Sequence, residues 1–223
     1  MTWIKICGTT SERDAEIAIR AGASALGFVM TTSPRQVSDT AAYSIGTIVP
    51  KGVEKIGVFV NEELETLVQT TRFCKFTGVQ LHGDEDADYI ANVRTRLPGI
   101  KLLKAANVDT LAISTDLKPD AWLLDSAEGG HRGGTGKTFD WQQAQGVVKG
   151  LSEPFIVAGG LKADNVQKAL SALHPWGVDV VSGVEAYPGR KHPGLVAQFI
   201  DAVRLFDAGT RDAQAATQKG QRS

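Results

Sequence analysis

Asp125 closes the apolar run 121–125, AWLLD, and opens directly onto the glycine-rich stretch 129–136, GGHRGGTG. An acid delivered at the end of a strand, beside backbone N–H groups that glycine leaves exposed, is the layout of a site for a phosphorylated ligand. Gly136-Lys137-Thr138 resembles the end of an ATP-binding loop, but that motif needs a glycine five residues before Gly136, where His131 stands. A second reactive group, Cys7, closes the run 3–7, WIKIC. Strand alternation puts Trp3, Lys5 and Cys7 on one face and Ile4 and Ile6 on the other. An unperturbed thiol is only a few per cent thiolate at neutral pH, with a pKa of about 8.5. Lys5 on the same face either raises that fraction or pairs with Asp179. Cys7 itself is open to a bland reading, as a small buried hydrophobe.

These groups need elements to position them. Eight short apolar runs fall at 3–7, 25–30, 55–60, 78–81, 100–104, 121–125, 155–158 and 178–182. Amphipathic stretches lie between them, at 11–21, 62–72, 84–97 and 164–173, several opened by a Ser or Asp cap, with a last helix at 195–206. Strand followed by helix, repeated, implies parallel strands joined by right-handed crossovers. Eight such units in this length fit an α/β fold of the closed (β/α)8 TIM-barrel type, a single domain over 1–206; a doubly wound open sheet is the alternative, because element order does not show closure. The stretch 207–223 has almost no large apolar residue and is expected to be a disordered tail.

In a barrel the chemistry belongs at the carboxyl ends of the strands. The exits here are Cys7-Gly8, Ser33-Pro34-Arg35, Gln80-Leu81-His82-Gly83, Asp125, Gly159-Gly160 and Ser182-Gly183. Glycines after strands seven and eight allow close approach to backbone N–H groups, so Gly159, Gly160, Ser182 and Gly183 are expected to cradle a phosphate, closed by Gly134 and Thr135. Arg35, on a loop expected to move, has the planar fork that suits a carboxylate or an aromatic face. His82 is either a satisfied rim histidine or a substrate contact, and Asp179 either meets a sugar or orients Lys5.

In that order, the pieces resemble the phosphoribosylanthranilate isomerase family: KICG at 5–8, GFVM at 27–30 with SPRQVS at 33–38, GVFVN at 57–61, VQLHGDE at 79–85, LLD at 123–125, GGTGKTFDW at 133–141, AGGL at 158–161, GVDVVSGVE at 177–185 and PGRK at 188–191. Three departures stand out: a short loop after strand two, Val181 in place of a common Ser, and His192 in place of a typical Asp. The resemblance implies a tryptophan-pathway Amadori rearrangement without metal or organic cofactor. It makes Cys7 the general base and Asp125 the general acid, and gives the substrate's anthranilate part to Arg35.

Composition narrows the partners. A formal net charge of −1 gives no basic footprint for nucleic acid, and no apolar run is long enough to span a bilayer. The start MTWIKICG lacks the pattern of a signal peptide, so a cytoplasmic protein is expected, as a monomer or homodimer acting on a phosphorylated small molecule. Cys7 and Cys74 are expected to be free thiols, and the four histidines are too scattered for a metal site. Two rivals remain: another phosphate-binding barrel isomerase, such as a sugar-phosphate epimerase or a histidine-pathway aminoaldose isomerase, and a non-catalytic barrel that binds a phosphoribosyl compound. The histidine-pathway enzyme would carry Asp at the first exit, and turnover separates the second rival.

Overall fold

Strands covered on both faces must be apolar along most of their length, and the runs at 3–7, 78–81 and 121–125 are buried at every position. The computed structural model describes residues 1–107, 116–125 and 140–220. Eight parallel strands pair in sequence order: β1 (Trp3–Ile6), β2 (Ala25–Val29), β3 (Glu54–Phe59), β4 (Gly78–Leu81), β5 (Lys101–Asn107), β6 (Ala121–Asp125), β7 (Phe155–Val157) and β8 (Gly177–Val180). β8 pairs back onto β1, with Lys5 opposite Asp179, and this closes the barrel and excludes the open sheet.

The crossovers carry α1 (Glu12–Ala21), α2 (Asp39–Thr47), α3 (Leu64–Cys74), α4 (Ala87–Arg96), α5 (Trp141–Val148), α6 (Val166–Leu173) and α7 (Pro193–Gly220). Among the described residues no helix stands between β5 and β6, an interval that includes residues 108–115, which lie outside them. Local signals set the ends. Ser11 caps α1 by accepting from Asp14 N at 3.2 Å, and Gly22 ends it in the left-handed conformation at φ 96°. His192, the departure noted in the sequence, does the capping work expected of an Asp: its Nδ1 accepts from Leu195 N at 3.3 Å, with Pro193 at the first helical position.

Three helices start two or three residues later than expected: α3 waits for its Glu63 cap, and in α4 and α6 the first residues have other partners. Glu85 accepts from Asn61 N at 2.9 Å and from Gly83 N, so α4 waits for its Asp86 cap. Asn165 bonds Lys162 N and Gly160 O, so α6 begins at Val166. The last helix corrects the expected end at 206. α7 continues to Gly220, through residues 207–220 that were expected to fray. Val196, Phe199, Ile200 and Val203 anchor its first turns in the core. The following DAGTRDAQAATQKG has four Ala and no proline, so a helix already anchored can continue through it.

Two separate cores result. The larger lies between the strands and the helices and includes Ile4, Ile6, Phe28, Leu81, Trp122 and Leu124. The smaller fills the barrel, from Trp3, Ala25, Ile56, Leu103, Ala121, Leu123, Ile156 and Ala158. The period of two therefore sends Ile4 and Ile6 outward and Trp3, Lys5 and Cys7 inward, as the sequence implied. No described helix is long and apolar enough to cross a membrane.

Candidate active site

Above the apolar plug the barrel interior turns polar. Lys5 is completely buried and its Nζ lies 3.1 Å from Asp179 Oδ1, on the neighbouring strand at the paired register position. Burial lowers the ammonium, but Asp179 and Cys7 outweigh it, and the net pKa shift of Lys5 is upward. Cys7, one residue past β1, is held by its N–H to Val180 O at 3.0 Å and is 4% exposed. Its seat is made by Gly27 on β2, where any Cβ would fall 2.5 Å from the Cys7 sulfur. Burial pushes the thiol up, Lys5 pulls it back, Asp179 adds to the rise, and the net direction is upward. Of the two roles open to Lys5, the pairing with Asp179 is the one observed; its charge pulls the Cys7 thiol down, but burial outweighs it and the thiolate fraction is not raised above that of an ordinary thiol.

Lys5 and Asp179 are a buried ion pair, and removing one partner strands the other. Lys5→Met is expected to destabilise the fold by about 3–5 kcal/mol, read as a lower urea midpoint, and Lys5→Met/Asp179→Leu to recover much of it. A single variant as stable as wild type would show that the two charges are not coupled.

Asp125 ends β6 facing inward, opposite Asn107 in register. His82, just past β4, presents Nε2 3.7 Å from Asp125 Oδ2, and its Nδ1 is 2.8 Å from Gln80 Nε2. A Gln80 amide that donates through Nε2 puts the ring proton on His82 Nε2, the nitrogen turned towards Asp125. The backbone around His82 is fixed from below by Lys104, whose Nζ donates to Gly83 O at 2.7 Å and pairs with Glu85 at 3.1 Å.

The strand-seven exit, Gly159-Gly160, has positive φ at both positions, 79° and 60°. Ser182 and Gly183 follow β8 in a 3-10 turn packed tightly on that loop, and a Cβ on Gly183 would lie 1.9 Å from Leu161 O. The two glycine exits are thus neighbours in space, as a shared cradle requires. Gly134 and Thr135 lie outside the described residues.

Arg35 departs from expectation. Its loop, expected to be mobile, is tied down: Gln36 bridges Val29, Val37 N donates to Val29 O, and the guanidinium forms a fork on Glu185, with Nε at 2.9 Å and Nη2 at 2.8 Å. Glu185 begins a short hairpin, β9 (Glu185–Tyr187) with β10 (Arg190–Lys191). From it Lys191, fully buried, reaches Glu185 at 3.1 Å and donates to Cys7 O. Burial works against the Glu185 carboxylate, but the Arg35 bonds and the Lys191 charge hold its pKa down. Burial likewise lowers Lys191. Sequence reasoning missed Glu185 and Lys191 and named Gln80 at the strand-four exit without a role; the acid closing GVDVVSGVE and the lysine of PGRK were visible as motif letters without a partner.

Cys74 is buried with its thiol pushed up to about 11, mainly by burial, and donates to Asp39 O, which makes it packing. At the opposite rim a cleft is lined by Glu54, Arg94, Lys101 and Asp120, whose charges already pair with each other.

The family model described as N-(5′phosphoribosyl)anthranilate (PRA) isomerase matches residues 4–202. The N-(5′-phosphoribosyl)anthranilate isomerase of Pelobacter propionicus is 43% identical over 201 residues, 90% of this chain and 94% of its own. That of Moorella thermoacetica is 40% identical over 205 residues, 92% and 90% of the two chains. Among solved structures, the phosphoribosyl anthranilate isomerase of Thermotoga maritima superimposes with a TM-score of 0.80 at 32% identity, covering 92% of this chain and 99% of that one. A phosphoribosyl anthranilate isomerase crystallised with reduced 1-(o-carboxyphenylamino)-1-deoxyribulose 5-phosphate gives a TM-score of 0.77 at 30% identity, with the same coverage.

Proposed function

The chain belongs to the N-(5′-phosphoribosyl)anthranilate isomerase family and catalyses that family's Amadori rearrangement in tryptophan biosynthesis; from this premise we propose how its own residues divide the reaction. The observation that carries the proposal is the pairing of an inward thiol past β1 with an inward carboxyl at the end of β6, at one mouth. Asp125 protonates the ribose ring oxygen, and the C1′–O bond breaks as the anthranilate nitrogen's lone pair forms the C1′=N bond. Cys7, as thiolate, removes the C2′ proton, and those electrons return to nitrogen to give an enolamine. Tautomerisation yields 1-(2-carboxyphenylamino)-1-deoxyribulose 5-phosphate. The substrate's nitrogen is the electron sink, so general acid–base groups suffice.

Around that pair, His82 lies against substrate beside Asp125, Asp179 orients Lys5 and meets a sugar hydroxyl, and Arg35 takes the anthranilate carboxylate. Gly159, Gly160, Ser182 and Gly183, with Gly134 and Thr135, hold the phosphate. The net charge of −1 offers no basic footprint for nucleic acid, and the enzyme is read as a cytoplasmic monomer or homodimer. The direct test mixes purified protein with freshly made phosphoribosylanthranilate and follows loss of its fluorescence; no loss beyond the spontaneous rate would favour a non-catalytic binding barrel.

The phosphate cradle has its own test. Inorganic phosphate and sulfate should both compete with substrate. In Gly183→Ala, whose Cβ has no room against Leu161 O, KM and the phosphate inhibition constant should rise together by about tenfold or more, roughly 1.4 kcal/mol. Absence of competition in the wild type would move the phosphate elsewhere.

A further inference from the structure

Glu185 has no role in the reaction as divided above, yet it is 3% exposed in its side chain and is gripped by four donors from three places: Arg35 Nε and Nη2, Lys191 Nζ at 3.1 Å and Gly189 N at 3.2 Å. A guanidinium has two edges that can each hold a carboxylate by a fork, Nε with Nη2 and Nη1 with Nη2. Glu185 occupies the first. Among the described residues Nη1 makes no hydrogen bond, so the second edge is available to a ligand. The arginine stem crosses the active-site rim, because a Cβ on Gly8, next to Cys7, would lie 2.8 Å from Arg35 Cδ.

We propose that Glu185 is a positioning residue for substrate selection: it fixes Arg35 side-on, so that the outer edge of the guanidinium becomes a preset clamp for an aryl carboxylate. Lys191 completes the device. Arg35 and Lys191 supply two positive charges against the one negative charge of Glu185, so the carboxylate that orients the arginine does not cancel its charge towards an anionic ligand. Lys191 also binds the carbonyls of Cys7 and Val181, which ties the clamp to the backbone carrying the thiol. The inference rests on Arg35 as the anthranilate site and adds what makes that site selective.

A matched pair of ligands tests it. One is the reduced product bearing the 2-carboxyphenyl group; the other is the same compound with plain phenyl. Both carry the phosphate and the sugar chain, so the ratio of their dissociation constants isolates the carboxylate. In Glu185→Gln the amide NH2 meets a guanidinium donor, and the fork fails. The preference for the carboxylated ligand should fall by about tenfold or more, with the phenyl ligand's affinity unchanged within about twofold. Glu185→Asp keeps the charge but shortens the reach, should lose part of the preference, and carries the same comparison if the glutamine variant does not fold. An unchanged or greater preference in a folded Glu185 variant overturns the proposal. Arg35→Met separates the two levels. If it abolishes the preference while Glu185 variants keep it, Arg35 is the carboxylate site and only the positioning role of Glu185 falls; if it too leaves the preference intact, Arg35 is not the carboxylate site and both fall.

Discussion

Cys7→Ser is expected to lower kcat by about a thousandfold or more while the reduced, carboxylated product analogue binds nearly as in the wild type. The hydroxyl is similar in shape and enters the same seat against Gly27 without a clash, so folding should be preserved. What changes is basicity at accessible pH. A thiol gives a thiolate within reach of neutrality, and Lys5 is placed to stabilise it, whereas an alcohol beside the same ammonium stays protonated. Steady-state rates with phosphoribosylanthranilate, alongside calorimetric binding of the analogue, separate the effects. Turnover within about tenfold of wild type would remove Cys7 as the base, and loss of analogue binding in step with rate would make its role structural.

The positions of Cys7 and Asp125 were legible because both depend on one short-range rule. Alternation along a strand decides which side chains face inward, and apolar runs that stop at an acid or a thiol mark the rim. The Lys5–Asp179 pair was legible only as one of two alternatives, and the register of β1 on β8 is what brings the two side chains together. Closure of the barrel was not legible, since a right-handed strand–helix repeat is shared with open sheets until the first and last strands meet. The Arg35–Glu185–Lys191 cluster was hidden for a stronger reason. Its members come from the strand-two loop and from a hairpin far along the chain, and neither has a periodic pattern that names the other. The loop after strand two was expected to be loose because Ser33-Pro34 is turn chemistry; the buried acid that holds it is a tertiary fact. The end of α7 was misjudged because a lack of large apolar residues argues against a packed segment but not against continuing a helix already anchored.

Asp125→Asn is expected to remove most turnover while keeping ligand affinity, because the amide preserves size and polar contacts and lacks a transferable carboxylic proton. The reason the loss should be large lies in the order in which protons leave. A carboxyl of ordinary acidity, with a pKa of about 3.9, ionises well before a thiol. The chemistry needs the reverse arrangement, the carboxyl protonated and the thiol ionised, so the productive form is one of two ways to place a single proton on the pair. Burial pushes the Cys7 thiol up, which makes that form rarer in the empty site and carries the alkaline limb of kcat/KM above the usual thiol range of about 8.5. Below the acid limb both groups hold protons; above the alkaline limb neither does; between them the productive fraction is level. Asp125→Asn takes away the proton that must reside on the acid, so the level region should collapse rather than shift. A kcat/KM for Asp125→Asn within about tenfold of wild type, roughly 1.4 kcal/mol or less of lost transition-state stabilisation, would show that ring opening draws its proton from another group. The neighbouring candidate on geometric grounds is His82, whose Nε2 stands 3.7 Å from the carboxylate.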